Sequence, residues 1–315
     1  MPINDMLLSR ACMAESFSSP GIDLPSPTLS ARLRELADFF AAPGAGRLTE
    51  EQRALALGVA RRLVADVAGE LAQDIDIRAL WRDWIAAGMP TAARLTAACF
   101  ARAEEHRWRE RSAQRSMAPT PSAASNDAEV EGAAPVAGEP SDADRAFLDL
   151  QIADRRRFDV YGNPCLALAD IDAELLRALS LDIAAWRMMQ AGRDDALAAG
   201  LGDAVRAAAD RHDKARGIDR AAKIWHDLLT QSDAVAGAAA SAIARHDWPA
   251  LIALAAAANR RSYADTALAL LTAEAAALPF LLAPLKLDRA SLAPLEASLA
   301  LLPARAVAGG GAGHD

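Results

Sequence analysis

Aromatic residues are scarce in this chain, at 5% of 315 positions. Aromatic and β-branched side chains are the strand formers. Alanine, the strongest helix former, supplies 79 residues. The sequence therefore predicts an all-α protein and excludes a sandwich, a barrel or a doubly wound sheet. Cysteine is as sparse: Cys12, Cys99 and Cys165 are far apart and odd in number. No disulfide framework, zinc knuckle or redox pair is expected. Lysine occurs only at Lys214, Lys223 and Lys286. The remaining basic residues are arginine, which with the alanine content points to a GC-rich bacterial genome. A basic surplus is also missing, since 34 basic residues face 42 acidic ones for a net charge of −8. That sign argues against a dedicated nucleic-acid binder. Long apolar runs are absent. Met1 to Phe17 is broken by Asp5, Ser9 and Arg10, so no signal peptide is expected. The most apolar stretch, Ala264 to Leu287, carries Asp265, Glu274, Pro279, Pro284 and Lys286. It reads as two buried helices, because a membrane span needs about 20 apolar residues. A cytoplasmic location without membrane association is expected.

What is present divides into five parts. Residues 1–27 read as a disordered tail, with Pro20, Gly21, Pro25 and Pro27 and no sustained period. Residues 28–113 read as an N-terminal helical domain. Leu29, Leu33, Leu36 and Phe40 give one apolar face. Thr49-Glu50-Glu51-Gln52 is a capping-box pattern, and Leu55, Val59, Leu63 and Val67 continue it as a stripe. A third helix covers Ile75 to Ala87 and a fourth Thr91 to about Arg111. Residues 114–141 read as a disordered linker: Met117 to Asp144 holds four prolines, six acidic residues and no basic one, most of the chain's net charge. Residues 142–305 read as a C-terminal helical domain, and 306–315 as a Gly-rich tail. Within the C-terminal domain, helices are expected at Asp144–Arg157, Asp172–Ala191, Asp194–Arg211, Ile218–Arg245, Pro249–Ala258, Tyr263–Ala276, Pro279–Ala283 and Ala290–Leu302. Their short connections suggest stacked hairpins in a HEAT-like array.

Candidate chemistry is thin. Arg102, His106, Arg107, Trp108, Arg109 and Arg111 could face an anionic partner, but a solvated helix end explains them, because positive charge suits a helix C-terminus. The carboxylates are expected on solvated helix faces. His212-Asp213, His226-Asp227 and His246-Asp247 invite a metal reading. Adjacent helical residues point about 100° apart, and no two histidines have the spacing of a helical zinc site, so no metal site is expected. His226, with Asp227 to orient its ring, weakly resembles the phosphoacceptor box of histidine kinases and phosphotransfer proteins; Ala222 and Leu229 place it at the border of an apolar face. Phosphate-binding glycine loops and nucleophile elbows are absent, and no cofactor is expected.

One segment has unusual texture: Arg155-Arg156-Arg157-Phe158-Asp159-Val160-Tyr161-Gly162-Asn163-Pro164, continuing through Cys165 to Asp170. Pro164 forces Asn163 out of helix, and Asn and Gly suit a tight turn. Asp170 or Asp172 is expected to cap the next helix, so the segment reads as a connection that orients two hairpins. Arg157, Phe158, Asp159, Gly162, Asn163, Pro164 and Asp170 carry a resemblance to an alphaproteobacterial family defined as domain of unknown function 2336. The Leu48-Thr49-Glu50-Glu51-Gln52-Arg53 helix start is similar too. Ile183 and Trp186 depart from the bulky aromatic pair usual there. The resemblance implies a helical fold and a bacterial source, and no activity. The functional expectation is a non-catalytic interaction or regulatory adaptor with a protein partner. The alternative is phosphotransfer through His226.

Overall fold

Thr49, Asp76, Ser141, Asp172, Asp194, Asp247 and Asp288 each place a side-chain oxygen on a free amide in the first turn of a helix. Such caps contribute about 1 kcal/mol each, and they divide alanine-rich text into separate helices. The computed structural model describes residues 27–41, 48–117, 139–192, 194–272 and 277–302. Along them run α1 (Pro27–Ala41), α2 (Glu50–Leu71), α3 (Ile77–Ala87), α4 (Ala92–Met117), α5 (Asp142–Arg155), the 3₁₀ turn η1 (Leu168–Asp170), α6 (Ala173–Ala191) and α7 (Asp195–Lys214). They are followed by α8 (Ile218–Gln231), α9 (Val235–Ala244), α10 (Trp248–Asn259), α11 (Tyr263–Thr272), α12 (Leu278–Leu282), the 3₁₀ turn η2 (Ala283–Leu285) and α13 (Arg289–Leu299). The chain is all-α: among the described residues the β pairing is one isolated bridge between Phe158 and Pro164. No helix among them is long and apolar enough to cross a membrane.

The capping box is formed as the spacing predicts, with Thr49 Oγ1 accepting from Gln52 N at 3.2 Å and Gln52 Oε1 accepting from Thr49 N at 3.0 Å. Several boundaries differ from expectation. Pro27, placed in the tail, is the first residue of α1, where its missing N–H is harmless. α4 continues to Met117, so residues 114–117 are helix rather than linker. The remainder of the expected linker, 118–138, and the segments 1–26 and 303–315 lie outside the described residues. The single helix expected over Ile218 to Arg245 is two. Asp233 takes the left-handed conformation at φ +52, and its amide and that of Ala234 bond back to Thr230 O and Leu229 O. This doubly bonded ending terminates a helix, and the flanking alanines gave no warning of it. His246 and Arg260 end α9 and α10 the same way, at φ +55 and +54.

Two apolar cores form, and neither follows the expected division at the linker. One joins Leu36, Val59, Leu63, Leu95 and Phe100 to Leu175, Leu179 and Ile183. The other joins Trp108 to Leu150, Trp225, Trp248, Leu251, Leu270 and Leu295. α4 belongs to both, because Leu95, Cys99 and Phe100 serve the first and Trp108 the second. Trp108 Nε1 donates to Ser298 Oγ at 2.7 Å, which fastens α4 to α13. On α5 the buried face is Ala146, Leu150 and Ala153, with Phe147 packed beside it. Ile152, an apolar residue of the same helix, is half exposed.

α10 lies at the centre of the second core, where Trp248 and every residue from Ala250 to Ala256 are buried. A helix that is apolar all round has to be enclosed, and α8, α9, α11 and η2 enclose it. Leu251→Ala, which empties a fully buried site, should lower the free energy of unfolding by about 2–5 kcal/mol. Ile152→Ala should cost no more than about 0.5 kcal/mol. Urea unfolding of the two variants measures both. Equal losses would contradict the assignment of these faces.

Candidate functional site

The second half of α4 places Arg102, Glu105 and Arg109 on one face, at helical steps of three and four residues. The sequence suggests a solvated surface, but Arg102, Glu105 and Arg107 are buried. A buried charge is tolerated only when it is paired and hydrogen-bonded. Glu105 meets that requirement with partners from distant segments. Arg157 Nη1 and Nη2 donate to its two oxygens at 3.1 and 2.7 Å. Tyr263 OH, from the start of α11, donates to Oε1 at 3.0 Å. Arg102 and Arg109 stand 3.5 and 3.4 Å away. Arg109 also holds Asp154, at the end of α5, through two bonds of 2.8 Å. Burial alone would raise the Glu105 pKa, but the guanidiniums of Arg157, Arg102 and Arg109 outweigh it and hold the carboxyl down to about 2. The Tyr263 phenol moves the other way, pushed well above its usual range by burial and by the Glu105 charge. The Arg157 guanidinium also lies 4.4 Å over the Tyr263 ring.

This cluster holds the connection between α5 and η1. Arg102 donates to Cys165 O at 3.1 Å and to Arg157 O at 2.7 Å. Arg62 of α2 donates twice to Pro164 O, at 2.9 and 2.6 Å. The connection also closes on itself. Asp159 N donates to Asn163 O at 3.0 Å, and Cys165 N to Arg157 O at 2.9 Å. Asp159 Oδ1 accepts from the amides of Tyr161 and Asn163 at 2.9 and 2.8 Å, and Oδ2 from Asn163 Nδ2 at 2.9 Å. These bonds, first that from the Asn163 side chain, hold the Asp159 carboxyl below its ordinary range. Gly162 sits at φ +82, a conformation that costs glycine nothing and other residues about 1 kcal/mol or more. Phe158 turns inward, with the Arg102 and Arg109 guanidiniums 4.5 and 4.9 Å from its ring centre. Val160 and Tyr161 turn outward and are 93% and 87% exposed.

Asp172 caps α6. Asp170 has a different task. Its Oδ1 accepts from Ile218 N at 2.7 Å and so caps α8 from a distant part of the chain. Gly217 permits the approach, since a Cβ there would stand 2.3 Å from Ala169 O. Asp170 Oδ2 and Arg157 Nε are both buried without a hydrogen-bond partner and lie 3.9 Å apart. Burial raises the Asp170 pKa against the pull of Arg157.

The structure thus brings the quoted motif residues Arg157 to Asp170 into one assembly. It adds Arg62, Glu105, Asp154 and Tyr263, which the sequence reading passed over, and Arg102 and Arg109, which it placed on a solvated helix end. One signal was available: Cys99, Phe100, Ala103 and Trp108 face different sides of α4, so the charges between them cannot all reach water. His226 stays at the border of its face. Its side chain is 18% exposed, and Nδ1 is 3.7 Å from Asp227 Oδ1. Asp227 is itself bonded to Lys223 Nζ at 2.6 Å. His212 Nε2 contacts Ile171 O at 2.9 Å, and His246 stacks on Trp248. Among the described residues no group of three or more His, Cys, Asp or Glu side chains is placed to hold a metal ion. Cys99 and Cys165 are buried free thiols; burial pushes Cys99 up to about 12.

Leaving a buried ion cluster without one partner costs about 3–5 kcal/mol, and Glu105→Gln should lose that order of stability. Tyr263→Phe should lose about 1.5–3 kcal/mol, the usual worth of a hydrogen bond to a charged group. Because the Glu105 pKa falls from 4.5 to about 2 on folding, its contribution is complete above the unfolded value and lost as pH drops through the folded one. Asp170 and Asp219 are raised by burial, and their contribution is lost in the opposite direction, as pH rises. The difference between wild type and Glu105→Gln in urea midpoint, followed from pH 6 to pH 3, isolates Glu105; it should hold level down to about pH 5 and shrink below it. A difference constant with pH would refute the assignment.

Comparison with protein-family models, with curated proteins and with solved structures finds no match to this chain.

Proposed function

We propose that this protein is a non-catalytic interaction or regulatory adaptor, cytoplasmic and bacterial, whose partner is another protein and whose binding hot spot is the Val160–Tyr161 tip. The exposure of those two side chains carries the reading. They stand at the end of a turn whose backbone is closed by its own hydrogen bonds and braced by Arg62 and Arg102. Tyrosine is enriched among residues that dominate binding energy, and a turn already ordered loses little entropy on association. Behind the tip, we place the C-terminal helices in a HEAT-like stack. Three successive helices, α8, α9 and α10, end on left-handed residues and restart within a few positions; α8 packs on both α5 and α10. Stacks of this kind offer extended binding surfaces.

A second reading, phosphotransfer through His226 oriented by Asp227, is favoured by the partial exposure of the imidazole and the 3.7 Å approach of the carboxylate. It no longer has a long stem to work from, since α8 stops at Gln231. Incubation with phosphorylated receiver domains should label wild type and spare His226→Ala under this reading; equal labelling removes His226.

Val160→Asp and Tyr161→Ala separate the adaptor reading from it. Both should leave urea stability within about 0.5 kcal/mol of wild type, as usual for exposed positions. Both should weaken a partner captured by wild type by more than about tenfold, the loss typical of a hot-spot residue. A partner held equally by all three proteins would overturn the placement of the site.

A further inference from the structure

α5 buries one face, along Ala146, Leu150 and Ala153, and leaves the opposite face open. On that open face Leu148 and Ile152 are 51% and 50% exposed. Side chains four residues apart on a helix are neighbours, so the two form one short apolar ridge. A single exposed leucine needs no explanation. What distinguishes this ridge is the charge beside it. At about 100° per residue, Asp144, Gln151 and Arg155 run along one flank of the ridge. Arg145, Asp149 and Arg156 run along the other. All six are exposed.

The first flank is complementary to itself. Its carboxylate, Asp144, stands in the first turn of α5, where the Ser141 hydroxyl and amide bond it and hold it below the ordinary carboxylate range. Its guanidinium, Arg155, ends the helix and pairs with no described side chain. A two-fold interface presents the same patch from both copies, so residue i meets j while j meets i. When a helix packs antiparallel on its own copy, each flank meets the same flank with its ends exchanged. An axis midway between Leu148 and Ile152 sets Leu148 against Ile152 of the second copy and Asp144 against Arg155 of the second copy, each twice. The other flank is close to balanced. It brings Arg145 towards Arg156, but Asp142 already neutralises Arg145 at 3.2 Å, and Asp149 lies between them. The helix dipoles also oppose one another in this arrangement. A parallel pairing would align them and set Arg155 against Arg156.

We propose that the open face of α5 is a docking surface for a second copy of this chain, seated antiparallel about a two-fold axis between Leu148 and Ile152. The surface goes beyond the adaptor reading and stands on residues other than Val160 and Tyr161. One helix face is smaller than a standard interface, so the dimer is a weak one, with Kd on the order of 10–100 µM. Sedimentation of the full chain between about 1 and 500 µM should show monomer giving way to dimer. Arg155→Asp sets carboxylates against each other and should weaken the dimer by about tenfold or more. Adding Asp144→Arg to it restores opposite charges with their signs exchanged and should recover most of the loss. Asp144→Arg also removes a cap, so circular dichroism of each variant checks that the helices are kept. Orientation is read by disulfide trapping in a Cys12→Ser background, where Cys99 and Cys165 are buried. A mixture of the Leu148→Cys and Ile152→Cys proteins should cross-link at least about tenfold faster than either protein alone, because a disulfide needs Cβ atoms about 4 Å apart. Val160→Asp should dimerise as wild type does, so failure of the adaptor reading leaves this result standing. The proposal is overturned if the chain stays monomeric throughout, if Arg155→Asp dimerises like wild type, if the double charge exchange restores nothing in a folded protein, or if either cysteine variant traps itself as fast as the mixture does.

Discussion

The carboxylate of Glu105 is the point on which the rest of this structure depends. It is buried in the middle of α4, where an isolated negative charge would be prohibitive, and its partners come both from α4 itself and from distant segments of the chain. Arg157 comes from the connection after α5 and Tyr263 from the start of α11. Arg109 comes from the next turn of α4 and passes the link on to Asp154 of α5. Satisfying one charge therefore fixes where three segments stand relative to α4. An apolar residue of similar size could contribute as much stability, since buried ion clusters often gain little over hydrophobic replacements. A hydrophobic contact would leave the rotation of each segment less tightly defined, because it lacks the directionality of a bidentate guanidinium–carboxylate pair.

The connection from Arg157 to Asp170 inherits that definition. Arg157 is pinned by Glu105, and its own carbonyl is held by Arg102, which also holds Cys165. The two ends of the turn are thus fastened to one buried side chain, and Arg62 fastens the carbonyl of Pro164 from the opposite side. With both ends fixed, Phe158 is directed inward onto two guanidiniums, while Val160 and Tyr161 are directed into solvent. The proposed protein-binding tip stands on the exposed part of this short turn. Asp170, at its far end, starts α8 by capping a helix 48 residues away in sequence, so the same connection also positions the helices of the second core.

Much of this was legible locally. The capping box at Thr49, the turn at Gly162 and Asn163, and the cap at Asp172 follow from side-chain chemistry acting over a few residues, and they occur where the residues predict them. The break between α8 and α9 was not legible. Ser232 and Asp233 also occur on helix surfaces, and nothing in the neighbouring residues singles out Asp233 for the left-handed conformation it adopts. Ile152 likewise has the spacing of an apolar contact, yet α8 meets α5 along Ala146, Leu150 and Ala153 instead. The arginine-rich end of α4 is the clearest case. Arg102, Glu105 and Arg107 have the composition of a solvated surface, and nothing within α4 names Arg157, Asp154 or Tyr263 as their partners.

The amino-acid sequence by itself determined that the chain is helical, where most of its helices begin, and that a tight turn forms at Gly162 and Asn163. These features depend on propensity and on hydrogen bonds that close within one or two turns. The tertiary structure alone decided which charges are buried, that residues on both sides of the expected linker share two cores through α4, and that Leu148 and Ile152 are left on the open face of α5. The physical reason is distance along the chain. A buried carboxylate must be neutralised, but Coulomb attraction and bidentate geometry select whichever guanidinium the fold brings within about 3 Å. For Glu105 that partner stands 52 residues away.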